Sequence, residues 1–169
     1  EANWYGDVPQ PAGSTGVWDA ARRFYRQVLG PREIVSVDQN GTTLACWVDL
    51  NEPLSALADD PFDIVINSGT AEHIFDQRQF WQTAHDMTVV GGLMVHSVPV
   101  GGWPNHGFWT YQPCFLDDLS AVNGYERVAA FCAVDVSQPG NKQLHLAWRK
   151  LIDEPFQVPV QGRYMKEKR

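Results

Sequence analysis

Residues 62–99 decide the fold of this chain. FDIVINSGTAEHIF occupies residues 62–75, and GGLMVHSVP follows at residues 91–99. Residues 62–67 are mainly apolar and include three β-branched side chains in a row, which predicts a short strand buried on both faces. The small residues that follow Asn67 allow the backbone to approach a ligand closely.

The residues after this strand predict a helix and a second strand. Asp76 can cap the helix, with Gln79 three residues later as in a capping box. Apolar side chains then recur near helical spacing, at Phe80, Trp81, Ala84 and Met87. The glycines at 91–92 are predicted to stop the helix, and residues 93–98 to form a buried strand that Pro99 terminates.

A strand, a helix and a strand in this order predict two parallel strands with a right-handed crossover. Open α/β sheets bind ligands in the crevice at the carboxyl ends of their strands. Residues 67–73 and 97–106 follow the ends of the two predicted strands. We therefore expect a binding site where these two segments meet.

The rest of the chain completes an α/β pattern. The other predicted elements are, in chain order, a helix at 17–29, strands at 33–37 and 43–48, a helix at about 113–122, and strands at 127–136 and 143–151. The last two strands are joined by a short turn, so they are predicted to form an antiparallel pair at one edge of the sheet. We expect one domain over residues 1–169, a three-layer α/β fold with a mostly parallel sheet, preceded by a loop at 1–16.

Composition excludes several classes of partner. With 169 residues and a net charge of −7, the chain is unsuited to nonspecific binding of nucleic acid or anionic lipid. No apolar run reaches the roughly 20 residues of a membrane helix. Cys46, Cys114 and Cys132 lack metal-type spacing, and we expect Cys46 and Cys132 to be buried free thiols in strands. Free thiols fit a reducing compartment, so we expect a cytoplasmic protein. We also expect a small-molecule substrate, and the protein can form a homo-oligomer.

Two acids stand at predicted strand ends. Asp38 can accept hydrogen bonds from both ribose hydroxyls of a nucleotide, although it can equally shape the turn that follows. Asp49 can accept a hydrogen bond from an adenine amino group, or act as a loop cap before Pro53.

These strand-end acids and the GTAEHIF and GGLMVHSVP segments resemble class I S-adenosylmethionine-dependent methyltransferases. A narrower likeness is to bacterial methyltransferase-domain proteins with similar GT-x-EH-x-F, GGLM-x-H-x-x-P and HGF-x-x-Y-x-P motifs. The resemblance implies a Rossmann-like methyltransferase fold, with a cofactor-side half at 33–99, an acceptor-side half at 100–151 and a tail at 152–169. The implied S-adenosylmethionine-binding residues are Asp38, Gln39, Asp49, Leu50, Asn67, Ser68 and Gly69.

The chain departs from that family at its beginning. Members usually open with a strand and a glycine-rich acidic loop that holds the methionine part of the cofactor. Residues 1–6 contain no G-x-G, and Glu1 stands where the acid that ends the first strand is expected. We therefore expect the first strand to be missing from residues 1–169.

Two histidines are candidates for catalysis. His73 follows the strand of the central unit, and His106 lies in a loop at 101–111 that is rich in glycine and aromatic residues. His106 can deprotonate an acceptor hydroxyl or amine, and the loop can close over the acceptor as a lid does. The predicted acceptor-facing side chains of this loop are Trp103, Phe108 and Tyr111.

The remaining histidines are predicted to be structural, with His96 as a satisfied core histidine. A metal site formed by Glu72, His73 and His106 is conceivable, but no H-x-E or H-x-x-x-H spacing supports it, and no metal is assigned.

The sequence therefore predicts S-adenosylmethionine-dependent methyl transfer to a hydroxyl or amine of a small molecule or sugar. The alternative is a noncatalytic binding subunit with a degenerate methyltransferase fold, which the absent glycine loop favours. A nicotinamide-dependent enzyme is disfavoured because a pyrophosphate requires the missing G-x-G-x-x-G.

Overall fold

A computed structural model describes residues 17–39, 45–54 and 61–161. The chain divides into two compact units, one up to Asp49 and one from Leu50 onward. The predictions for the loop at 1–16, for a missing first strand and for the end of the tail lie outside the described residues.

The described residues of the first unit form one helix and two very short strands. Helix α1 spans Val17–Leu29 as predicted, and Gly30 ends it with a φ of 56° and an N–H that donates to Arg26 O. The apolar stripe predicted for this helix is not buried at its end, because Leu29 is 46% exposed. Strands β1 (Val37–Asp38) and β2 (Cys46–Trp47) are parallel and shorter than predicted.

The second unit is built on a mixed four-stranded sheet. Its strands are β3 (Phe62–Ser68), β4 (Thr88–Gly101), β5 (Tyr125–Val134) and β6 (Lys142–Lys150), in the spatial order β3-β4-β6-β5. Strands β3 and β4 are parallel, which confirms the predicted strand–helix–strand unit, and β5 and β6 form the predicted antiparallel hairpin at one edge. Because β4 and β6 are also antiparallel, this sheet is mixed rather than mostly parallel.

Helix α2 (Gln77–Asp86) connects β3 to β4. Asp76 caps it as predicted, since Asp76 Oδ1 accepts a hydrogen bond of 2.9 Å from Gln79 N. The capping box is only half formed, because the Gln79 side chain donates to Thr83 Oγ1 instead of returning to the cap. Helix α3 (Pro113–Val122) begins with a proline in its first turn and has the predicted bounds.

Strand β4 differs most from its prediction. The helix ends before the glycines at 91–92, and β4 runs through them and through Pro99 to Gly101. A Cβ on Gly92 would lie 2.9 Å from Val89 O and 3.0 Å from Asp63 O, so Gly92 permits a tight bulge against β3. Pairing of β4 with β3 ends at Ser97. Pro99 therefore fits into β4, because its missing N–H removes no hydrogen bond to β3.

The core of the second unit lies between this sheet and helices α2 and α3. Its central side chains are aromatic and aliphatic: Phe80, Trp81, Met94, Val98, Tyr111, Leu116, Leu119, Tyr125, Leu146 and Trp148. Strand β3 was predicted to be buried on both faces, but only Asn67 of this strand is buried and Ile66 is 36% exposed. The reason is that β3 is the terminal strand of the described sheet.

The cysteines also differ from their prediction. All three are free thiols, but Cys46 and Cys132 are exposed instead of buried. Cys132 lies on β5, an edge strand whose residues from Glu126 to Cys132 are all exposed. No helix in the described ranges is long and apolar enough to cross a membrane.

Candidate active site

The carboxyl end of β3 and the loop after β4 come together, as the open-sheet rule predicts. A 3₁₀ helix at Ala71–His73 follows β3, and its Glu72 O accepts hydrogen bonds from Phe108 N (2.8 Å) and Trp109 N (3.2 Å). Gly69 N also donates to Ser97 O at 3.0 Å, which ties the end of β3 to β4. The backbone therefore holds residues 67–73 and the loop after Gly101 in contact.

Asn67 shapes the turn between β3 and the 3₁₀ helix. Its Oδ1 accepts hydrogen bonds of 3.1 Å from both Thr70 N and Ala71 N, and its side chain is buried. The next residue, Ser68, is exposed, and Gly69 has a φ of 69°, a conformation that favours glycine. Asn67 is thus occupied by the turn, while Ser68 and Gly69 present a small surface there.

Glu72, His73 and His106 form a cluster at this end of the sheet. Their potential ligand atoms all lie within 4.8 Å of one another. Glu72 Oε1 is 3.6 Å from His106 Nε2, and the rings of His73 and His106 meet edge to face with centroids 4.9 Å apart. The Glu72 side chain is 1% exposed, whereas that of His106 is 41% exposed. The cluster therefore combines a buried carboxylate with two imidazoles that solvent can reach.

Gly107 allows the loop to rest on Glu72. A Cβ at Gly107 would lie 2.8 Å from Glu72 O and 3.1 Å from Glu72 Cγ, closer than side chains tolerate. The Cβ-free backbone lets Phe108 N and Trp109 N reach the Glu72 carbonyl.

The aromatic loop is anchored at both ends. Trp103 N donates to Asn141 Oδ1 (2.8 Å), and Trp109 Nε1 donates to Ile74 O (3.0 Å). Between these anchors, Phe108 is 69% exposed and the Trp103 ring lies 5.1 Å from that of His106. The loop thus forms an aromatic wall beside His106, and its closure over an acceptor stays a prediction.

Tyr111 lies behind the cluster. It is 5% exposed, and its hydroxyl donates a hydrogen bond of 2.6 Å to Gln77 Oε1. Burial raises the pKa of Tyr111 well above its usual range, and the charge of Glu72 adds to this. The acceptor-facing role of Tyr111 stays a prediction, since its hydroxyl is engaged with Gln77.

Sequence reasoning missed one residue of this region, Gln77, and considered a second, Glu72, only as a member of a metal site that no spacing supports. Gln77 Nε2 donates to Ala71 O (2.8 Å) and Ile74 O (2.7 Å), so Gln77 braces the 3₁₀ helix from below. No sequence pattern marks Gln77. Glu72 was absent from the predicted site residues, although its place beside His73, directly after a strand, was a usable signal.

The two interior histidines are buried, as expected of structural residues. The amide nitrogen of Asn67 lies 3.3 Å from His96 Nδ1, so that Nδ1 accepts and Nε2 carries the proton. Among the described residues Nε2 has no hydrogen-bond partner. The prediction that His96 is a satisfied core histidine is therefore wrong for one of its two ring nitrogens. Burial lowers the pKa of His96 to about 3. His85 is held by Tyr125 Oη (2.7 Å) and Glu154 O (2.8 Å).

The predicted adenosine-binding acids belong to the first unit. Asp38 ends β1 and Asp49 follows β2, both are half-buried, and Gln39 is exposed. Val48 N donates to Asp38 O at 3.1 Å, so the two strands end at the same edge. Leu50 packs against the hydrophobic core of the second unit. The cofactor-binding roles of these residues stay predictions.

Two shallow cavities lie away from these residues. One of about 290 Å³ in the first unit is lined in part by Glu33 and Cys46, and one of about 170 Å³ beside α2 is lined in part by Pro53 and Met87. Neither cavity is lined by a predicted site residue. The cluster of Glu72 and the two histidines is an open surface site.

Comparison with solved structures finds a similar fold in a methyltransferase. One such structure is that of Burkholderia thailandensis 1,6-didemethyltoxoflavin-N1-methyltransferase with bound 1,6-didemethyltoxoflavin and S-adenosylhomocysteine. The TM-score is 0.61 at 16% sequence identity, and the match covers 79% of this chain but only 66% of that one, just under two thirds of its length. No family model and no curated protein sequence matches this chain. At this identity the likeness shows the fold alone.

Proposed function

We propose that this chain binds S-adenosylmethionine and transfers its methyl group to an oxygen or nitrogen of a small molecule or sugar. The observation that carries the proposal is the fold shared with a methyltransferase whose structure holds S-adenosylhomocysteine. The net charge of −7 favours a small acceptor over nucleic acid.

Methyl transfer requires mainly that the protein aligns the acceptor with the methyl group. The acceptor's lone pair attacks the methyl carbon, the carbon–sulfur bond breaks, and sulfur keeps the electron pair as S-adenosylhomocysteine leaves. The acceptor loses its proton to a base. Because the sulfonium methyl is already activated, holding nucleophile, carbon and sulfur in line supplies most of the acceleration.

His106 is the proposed base. It is partly exposed beside the aromatic wall, so an acceptor can reach its ring. Glu72 Oε1 lies 3.6 Å from His106 Nε2, so a carboxylate stands directly beside the proposed base. His73 is close enough to orient the acceptor or to share the proton. Trp103 and Phe108 are proposed to contact the acceptor.

The residues proposed to bind the cofactor lie at or just after the ends of strands. We propose that Asp38 accepts hydrogen bonds from the ribose hydroxyls, with Gln39 beside it, and that Asp49 and Leu50 border the adenine. The turn at Ser68 and Gly69 is proposed to border the methionine part, as its small, accessible surface supports.

Calorimetric titration tests the cofactor assignment. S-adenosylmethionine and S-adenosylhomocysteine are each expected to bind with one site per chain, and NAD is expected not to bind, because no pyrophosphate loop is evident in the sequence. Binding of NAD but of neither S-adenosyl compound would overturn the proposal. Binding of none of the three would also count against it, and would leave the fold without its cofactor.

A further inference from the structure

We propose that Glu72, His73 and His106 together bind a divalent first-row transition-metal ion. The inference rests on the donor set and its burial. It does not depend on the proposed methyl transfer, because it is tested by binding of the metal alone.

The donor set is the first argument. Two imidazole nitrogens and a carboxylate form a set that suits Zn²⁺, Mn²⁺, Fe²⁺ and Co²⁺, whereas Mg²⁺ prefers oxygen ligands alone. Ligand atoms that share an ion at about 2.0–2.2 Å lie at most about 4.4 Å apart. The atoms of this cluster lie within 4.8 Å of one another, so binding requires a shift of side chains, which the exposed rings of His73 and His106 permit.

The buried carboxylate is the second, independent argument. Glu72 is 1% exposed, and its Oε2 has no hydrogen-bond partner among the described residues. A buried carboxylate oxygen that lacks a donor destabilises the folded state, because it has lost its hydration without a compensating hydrogen bond. The ring of His106 lies 3.6 Å from the other oxygen, Oε1. A cation between the carboxylate and the two imidazoles would satisfy the Glu72 side chain.

The backbone holds these ligands in place. Glu72 and His73 are consecutive in the 3₁₀ helix, which Gln77 braces through Ala71 O and Ile74 O. The loop that carries His106 is fastened to the same helix through Glu72 O. Metal sites gain affinity from such support, because the ligands need little reorganisation to bind the ion.

Three protein ligands leave coordination positions open. Since His73 and His106 are exposed and Glu72 is buried, the open positions are on the solvent side, beside Trp103. With an ion bound, His106 is a ligand and no longer the base. An acceptor oxygen or nitrogen would then occupy an open position, where the ion orients it and favours its deprotonated form. This last step rests on the proposed function, whereas the metal site itself does not.

The test is metal binding by tag-free protein after treatment with EDTA. Calorimetric titration with Zn²⁺ is expected to show one site per chain, and Co²⁺ is expected to give the visible absorption of a site with nitrogen ligands. Mg²⁺ is expected to produce neither heat nor competition.

Variants assign the ligands. Glu72→Gln, His73→Ala and His106→Ala are each expected to weaken Zn²⁺ binding by roughly 10- to 100-fold or more, because loss of a ligand costs at least as much as loss of an outer-shell partner. His145→Ala and Glu126→Gln are the matched controls, since these residues lie on β6 and β5 outside the cluster. Both controls are expected to bind as the wild type does.

Three results would overturn the proposal: no Zn²⁺ site in the wild type, equal binding by the wild type and the His73 and His106 variants, or equal losses in the controls. Because Glu72 is buried, its variant is also checked by thermal unfolding. If the metal-free Glu72→Gln protein melts far below the metal-free wild type, its loss of Zn²⁺ binding reflects unfolding, and the His73→Ala and His106→Ala variants decide the assignment. Failure of S-adenosylmethionine binding leaves the metal result intact, so the two proposals fail separately.

Discussion

His96 and His106 are ten residues apart, and the surroundings of the two imidazoles are opposite. His96 lies inside β4, fully buried between Trp81 and Trp148, whose rings lie 4.9 and 5.2 Å away. His106 lies in the loop after β4, 41% exposed, with a carboxylate oxygen 3.6 Å from its ring. The apolar interior disfavours protonation of His96, whereas His106 is accessible to solvent and lies beside a carboxylate.

The comparison shows that two histidines close together in the sequence can differ in role, because burial sets the chemistry of each ring. The apolar interior lowers the pKa of His96 to about 3, because burial disfavours the charged ring. Its hydrogen bond to Asn67 instead supports the turn that presents Glu72. In this molecule the interior histidine supports the framework, and the surface histidine is the candidate for chemistry.

The largest expected effect is on stability. His96→Ala removes a fully buried ring between two tryptophans and leaves a cavity, so we expect a loss of about 2–4 kcal/mol in the free energy of unfolding. Urea denaturation measures it. His145→Ala, at a half-buried ring on β6, is the control and is expected to cost far less. Equal losses for the two variants would remove the distinction between interior and surface histidines.

The next effect is on turnover. With an acceptor identified by screening, His106→Ala is expected to lower the rate by roughly 10²-fold or more, the scale of a lost general base. The melting temperature and the affinity for S-adenosylhomocysteine are expected to stay unchanged, because His106 is exposed. Parallel losses in rate and melting temperature would give His106 a structural role like that of His96.

A smaller effect is predicted in the first unit. Asp38→Ala is expected to weaken S-adenosylhomocysteine binding by about 1.5–3 kcal/mol, the value of a hydrogen bond to a charged acceptor. Calorimetry measures the affinity, and circular dichroism checks that the fold is retained. Unchanged affinity would leave Asp38 with its turn-forming role alone.

The smallest effect is a pH dependence of stability that arises from the buried His96. The folded-state pKa of His96, about 3, is below the unfolded value of 6.5, so the unfolded chain binds more protons at acid pH. Its contribution to stability is present above pH 6.5 and is lost as the pH falls toward 3. At pH 5.5 the loss is about 1.4 kcal/mol relative to pH 7.5.

Denaturation curves at the two pH values are the measurement. His96→Asn is expected to show a smaller decrease in stability than the wild type. Burial, with the charge of Lys150 adding to it, lowers the pKa of His85 as well, so some dependence on pH remains in the His96 variant. A full decrease in the His96 variant would contradict the assignment.

Local rules allowed much of the second unit to be predicted. The Asp76 cap, the bounds of α3, the parallel β3 and β4 pair and the closing hairpin follow from capping, proline placement and short connections. The meeting of the 3₁₀ helix with the loop after β4 also followed, because parallel strands end at one edge of a sheet.

The sequence by itself determined these elements and their order, since each depends on residues a few positions apart. Only the tertiary structure decided that β4 runs through Gly92 and Pro99, that Cys132 is exposed on an edge strand, and that Glu72 is buried against His106. These features depend on contacts between distant segments, such as Gly107 against Glu72 and Asp63 against Gly92. Local spacing does not record such contacts, because burial is set by what the rest of the chain places on each residue.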